Sequence, residues 1–128
     1  MMEIDFSSAV PIYQQIRDQV ILELAKGHLR EGDELPSVRS MSDEIAVNMM
    51  TVAKAYQMLK DEGIVESDRR RGTKIAENIT HDEKRVEKIE EKFTLLLAES
   101  YVHGMEKEEV ETMITRILEK FEQERGEG

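Results

Sequence analysis

The stretch PSVRSMSDEIAVNMMTVAKAYQMLKDEG, residues 36–63, holds two helix starts in quick succession, and that decides the fold. Ser37 stands where an N-cap is wanted, ahead of Val38, Met41 and Ile45 on one helical face. A hydroxyl oxygen there accepts from one of the backbone N–H groups that the first turn leaves without an intrahelical partner. The helix it starts is short, about two and a half turns. Asn48 offers a second N-cap two residues after Ala46, and Val52, Ala55 and Leu59 then recur at helical spacing until Gly63. Two helices joined by so brief a turn form a helix-turn-helix, whose second helix is free to lie in a major groove.

C-terminal to this stretch, IVES and TKIA are short and partly β-branched, and they flank DRRRG. That pattern predicts a hairpin whose tip carries Arg69, Arg70 and Arg71. N-terminal to it, PIYQQIRDQVILELAKGHL opens on Pro11, suited to a first helical position because its missing N–H has no partner there. Ile12, Ile16, Val20 and Leu24 recur at helical spacing and Gly27 is placed to end the helix, with a polar loop, REGDEL, leading on to Pro36. Helix, helix, helix and hairpin make a winged helix.

From Thr80 the chain becomes charged and periodic, with Val86, Ile89, Phe93, Leu96 and Leu97 on one apolar stripe up to an interruption near Gly104. A second helix follows, with Val110, Met113, Ile114, Ile117, Leu118 and Phe121 at spacings of three and four. Helices gain most of their stability from packing, so two such stripes need something to cover them, and a second subunit is the economical partner. The expected fold class is therefore mainly α with a small β-hairpin. A winged helix-turn-helix DNA-binding domain spans residues 1–77, and a two-helix dimerisation region spans 78–128.

The composition agrees with a soluble, helix-rich protein: 39% hydrophobic and 36% charged over 128 residues, enough for a modest core. No apolar run approaches the roughly 20 residues of a membrane span, and MMEIDFSSAVP has no basic region leading into an apolar stretch, so no membrane association and no secretory leader are expected. Zero cysteines exclude a disulfide framework and a thiolate metal site, and a cytoplasmic location follows. The net charge of -10 is not the usual footprint of a nucleic-acid binder. It is unevenly placed: residues 1–76 carry 10 Lys+Arg against 13 Asp+Glu, net -3, and the remainder 8 against 15, net -7.

Three adjacent arginines repel one another unless something anionic meets them. A guanidinium fork suits phosphate oxygens or the acceptor edge of guanine, and a hairpin tip can carry it into a minor groove or along the backbone. Gly72 lets the backbone come close there without a side chain, and the plain alternative is a solvated turn. On the second helix of the pair, Asn48 serves first as a cap, while Thr51 and Lys54 project from the face opposite Val52, Ala55 and Leu59, the lysine towards a phosphate. Met49 and Met50 have two readings: contact with thymine methyls, or insertion of one of them into the core. Tyr56 reads as packing rather than base stacking.

His28, His81 and His103 lack ligand-like spacing, so no metal or other cofactor is expected. EKEEVE, residues 106–111, opens a helix where negative charge favours the dipole. There is no nucleophile constellation and no phosphate-cradling glycine loop, and an enzyme is not expected. Met105, Met113, Phe93 and Phe121 read as plain core of a dimer interface, or as the lining of a pocket for an unknown small-molecule effector.

The run LPSVRSMSDEIAVNMMTVAKAYQMLKDEGIVES, followed by RRRGTKIA, resembles the winged-helix domain of GntR-family transcriptional regulators, and IDFSSAVPIYQQIRDQV is similar to that family's first helix. The likeness covers roughly residues 3 to 77, and the two-helix tail and TVAKAYQML resemble the YtrA-type subfamily. The resemblance implies a homodimeric regulator, commonly a repressor, on a pseudo-palindromic double-stranded DNA operator, often of a transporter operon. It implies that Ser37 and Arg39 match the family's Leu-Pro-Ser-x-Arg element, whose arginine meets DNA. By the same likeness Asn48, Met49, Met50, Thr51 and Lys54 open the recognition helix, and Arg71, Gly72 and Thr73 match the Arg-Gly-Thr of the wing. Met49 and Ala53 depart from the arginines that many members carry, and Ser40 from the acidic residue of a capping box. A protein-interaction module, its arginines meeting acidic side chains and with no sequence-specific DNA binding, is the alternative from another class.

Overall fold

The computed structural model describes residues 2–70, 72–80 and 82–126. The chain divides into two compact units, Met1–Ile79 and Thr80–Gly128. In the first, α1 spans Ile12–Ala25, α2 Val38–Ile45 and α3 Met49–Asp61; β1, Val65–Asp68, then pairs antiparallel with β2, Gly72–Ile75. Helices with one small hairpin are the expected class.

Helix α1 contributes Ile16 and Val20 to the core, one turn apart on the same face. Pro11 sits at the N-cap rather than at the first helical position, one residue earlier than its chemistry suggested: its ψ of 145° is extended, and its carbonyl accepts from Gln14 N at 3.0 Å and Gln15 N at 3.1 Å. The helix ends at Gly27, whose φ of 81° lets His28 N reach back to the Glu23 carbonyl at 2.9 Å, a Schellman closure.

Both caps of the central stretch form. Ser37 Oγ accepts from Ser40 N at 3.0 Å, and Asn48 Oδ1 accepts from Thr51 N at 2.9 Å. Between the helices Ala46 takes a left-handed conformation, φ 56°, which costs an L-residue on the order of 1 kcal/mol. The turn it makes places Val47 in the core, so burial offsets the strain. Met41 and Ile45 of α2, Val52, Ala55 and Leu59 of α3, and Val65 and Ile75 of the strands complete one apolar cluster with Ile16 and Val20.

The loop REGDEL does more than connect. Leu35 N donates to the Thr73 carbonyl at 2.9 Å, and Ile75 N to the Asp33 carbonyl at 2.7 Å, so this segment flanks β2 on the side away from β1. Without it the outer backbone groups of a two-stranded hairpin would be left to water.

In the second unit Asp82 caps α4, Glu83–Val102, by accepting from Arg85 N at 2.8 Å. Gly104, φ 81°, lies in the turn before α5, Lys107–Glu124, where Glu108 and Glu109 complement the helix dipole. No described residue of α4 or α5 is buried.

Candidate nucleic-acid interface

The start of α2 is anchored from both sides. Ser37 Oγ is engaged as the cap and also donates to Ser40 Oγ at 3.1 Å, so its hydroxyl sets the helix start. The Tyr56 hydroxyl donates to the Pro36 carbonyl at 2.7 Å, tying the entry of α2 to the body of α3. Tyr56 is thus a packing residue, 5% exposed. Its phenol is pushed up to about 12 because burial disfavours the phenolate, with the Glu44 carboxylate adding to the effect. Arg39 follows in the first turn of α2 and is exposed.

At the start of α3, Met49 is 45% and Met50 84% exposed. Neither fills the core, which leaves both thioethers at the surface. Asn48 is exposed and Thr51 half-buried. Lys54 is exposed, with its ammonium 3.9 Å from the centroid of the Tyr13 ring on α1, a cation–π contact that holds the charge at one flank of α3. Ala53 and Gln57, also exposed, continue the outward ridge from Met50 at spacings of three and four. Gln57 Nε2 donates to Asp61 Oδ1 at 2.8 Å.

The hairpin presents Arg69 and Arg70 at its exposed tip, with Asp68 Oδ1 accepting from Arg70 N at 2.8 Å. Arg71 lies outside the described residues. Gly72 has φ 77°, and a Cβ built on it would meet nothing within 4 Å. Its left-handed backbone conformation by itself favours glycine at this position. Thr73 is half-buried opposite Ser67, and its carbonyl serves Leu35. Lys74 is held at 3.4 Å from Glu66 and 4.0 Å from Glu77, so its charge is partly neutralised within the wing.

Ala53, already noted as standing where many family members carry arginine, lies on this surface, and so do Tyr13 and Gln57, which the sequence alone did not single out. Ala53 and Gln57 follow from helical spacing once Met50 is placed outward. Tyr13 carries no local signal, because only the packing of α1 on α3 brings it under Lys54. A second long-range pair braces the same packing: Arg17 Nε donates to Glu62 Oε2 at 3.0 Å, and the guanidinium also meets Glu62 Oε1. Chiefly through this bond to Glu62, the Arg17 pKa is raised.

In the second unit, Val86, Ile89, Phe93, Leu96, Leu97, Ile117 and Leu118 are all exposed, while Val110, Met113, Ile114 and Phe121 are half-buried. Met105 lines a groove with Leu97, Tyr101, Val110 and Ile114; Met113 lines a separate, more polar recess with Glu108, Glu109, Thr112 and Arg116. Among the described residues no helix is long and apolar enough to cross a membrane.

The sequence profile of the family described as bacterial regulatory proteins, gntR family, matches residues 12–75. The chain is similar to the HTH-type transcriptional repressor YtrA of Bacillus subtilis, 40% identical over 119 residues, 91% of this chain and 92% of that one. Among solved structures, YtrA from Sulfolobus acidocaldarius, a GntR-family transcription factor, is 37% identical with a TM-score of 0.60, covering 74% of this chain and 97% of that one. A transcriptional antiterminator from Listeria monocytogenes EGD-e superposes with a TM-score of 0.84 at 28% identity, over 91% of this chain and 89% of that one.

Proposed function

We propose that this chain, which belongs to the GntR family of bacterial regulatory proteins, is a sequence-specific DNA-binding transcriptional regulator acting as a homodimeric repressor on a pseudo-palindromic operator. The observation that carries the reading is the surface of the first unit. A doubly capped helix pair exposes the first turn of α3, and the adjoining hairpin exposes Arg69 and Arg70 at its tip. In that reading Arg39, Lys54, Arg69 and Arg70 meet phosphates, which set register and orientation, and the outward ridge of α3 meets base edges. Arg71, Gly72 and Thr73 complete the wing by family likeness, and Ser37 and Asn48 act as caps that aim their helices. The repressor role is supported by the Bacillus YtrA likeness over nine-tenths of both chains.

Dimerisation is supported by the two apolar stripes of α4 and α5, exposed on helices with no buried residue. A second copy covers such faces by self-complementary packing about a two-fold axis. The two recognition helices of a dimer then meet half-sites about 10 bp apart or a multiple of that, and bound protein occludes the promoter. The work is binding in the cytoplasm, with no catalytic step.

Fluorescence anisotropy on DNA upstream of the protein's own gene, across a salt series, tests the reading. Wild type binds that duplex in preference to an unrelated one, and Arg70→Ala binds more weakly with a log-log salt slope shallower by about one per lost phosphate contact, hence about two per dimer. Equal binding to both duplexes, with an unchanged slope in the variant, removes the support for operator recognition and favours a protein-binding role for the arginine tip.

A further inference from the structure

The outward ridge of α3 is unusual for a surface meant to read bases. Met50 is 84% exposed and Ala53 is exposed next to it one turn on, so this part of the helix offers thioether and methyl surface to whatever lies opposite. Several of the polar groups around it already have partners within the protein. Asn48 Oδ1 accepts from Thr51 N, Gln57 Nε2 donates to Asp61, and the Lys54 ammonium lies over the Tyr13 ring on the flank facing α1.

Major-groove chemistry then restricts what the ridge can read. Guanine shows two acceptors and adenine an acceptor and a donor, and each is matched by a side chain that can answer with hydrogen bonds. A methionine or alanine placed against those edges strips them of water and returns nothing. Thymine alone offers an apolar group, its C5 methyl, for which a thioether and a methyl are the fitting partners. We propose that Met50 and Ala53 make this protein a thymine reader: the base pairs under the outer ridge of α3 carry thymine, recognised through its C5 methyl. This rests on the operator reading above and deepens it, since it names the base feature that the operator must contain. Met49, 45% exposed at the helix start, lies at the edge of the same contact. With the cations assigned to phosphates, this apolar readout supplies sequence preference beneath α3.

The test begins with full-length protein and duplexes selected from a random pool. In the recovered site each thymine is replaced in turn by deoxyuridine, which removes the methyl and keeps every hydrogen-bonding group. Affinity is read by anisotropy at one salt concentration. One or two positions per half-site lose about fourfold each, the fold-change of exposing one methyl-sized group, and about fifteenfold when both half-sites are changed together. Met50→Ala binds the thymine duplex more weakly, and its affinity no longer changes at those same positions; Met50→Leu retains the dependence. Met50 is exposed enough that circular dichroism of these variants should match wild type. Tolerance of deoxyuridine at every position overturns the proposal, as does an equal loss in wild type and Met50→Ala, while both leave operator binding intact. A pool that never converges on a sequence overturns the operator reading, and the thymine reading with it.

Discussion

The two units use the same helical periodicity and reach opposite ends. The first has helices of 14, 8 and 13 residues and sets Ile16, Val20, Val52, Ala55 and Leu59 essentially out of contact with water. The second has longer helices, of 20 and 18 residues, and no residue of either is buried. Length and stripe are thus not what makes a core. In the first unit α1 and α2 both pack on α3, and the hairpin covers what remains, so each stripe faces another element of the same chain. In the second, Phe93 at 50% and Leu96 at 58% exposure keep about half of their surface in contact with water. Charge is divided the same way, net -4 over residues 1–79 (10 Lys+Arg, 14 Asp+Glu) and -6 over 80–128 (8 against 14), so the more acidic unit is the one without the arginine tip.

The largest effect should come from emptying the self-contained core. Leu59→Ala removes a side chain with no exposed surface and should cost about 2–5 kcal/mol in urea unfolding, with a midpoint that does not move with protein concentration. A loss below about 1 kcal/mol would mean that the three-helix packing is looser than its burial implies. Phe93→Asp probes the other side of the contrast. A carboxylate on the α4 stripe should turn the proposed dimer into monomer in sedimentation at micromolar concentration and weaken operator binding by at least about tenfold, because the two half-sites would no longer be bound as one. The same variant should leave unfolding of the first unit unchanged; a wild-type protein that sediments as a monomer breaks the dimer assignment.

Tyr56 gives a smaller, pH-dependent effect within the first unit. Its folded-state pKa is raised to about 12 from an ordinary 10.0, so the folded state holds the proton more tightly than the unfolded one. The stabilisation is complete below pH 10 and is lost as pH rises from 10 towards 12. Tyr56→Phe should cost about 1 kcal/mol at neutral pH through the lost bond to the Pro36 carbonyl, and should flatten the alkaline slope followed by circular dichroism. An identical alkaline slope in both proteins assigns the effect to other groups. The smallest change expected is at Tyr13, where Tyr13→Leu removes the ring beneath Lys54 at a cost of about 0.5–1 kcal/mol in DNA binding and Tyr13→Phe retains it. Equal binding by Tyr13→Leu and wild type would show that the lysine needs no guide.

Legibility followed the range of the interaction. Ser37 and Asn48 were readable as caps because each bonds a backbone N–H three residues on, a bond settled within one turn. The arginine tip was readable because two short β-branched runs flanked it. Pro11 was placed one residue too far into α1, since proline is tolerated at more than one position of a helix start. The pairing of Asp33 and Leu35 with β2 was read as plain loop, because nothing in REGDEL alternates in the manner of a strand.

The amino-acid order by itself determined the helices, their caps, the hairpin and the family, because hydrophobic period, capping chemistry and turn residues act over a few neighbours. Only the tertiary structure decided which apolar residues are covered and which face outward. It turned both Met49 and Met50 to the surface, laid Lys54 over Tyr13, and joined Arg17 to Glu62 across 45 positions of chain. Those contacts join separate elements, and periodicity within one element carries no information about the element that will pack against it.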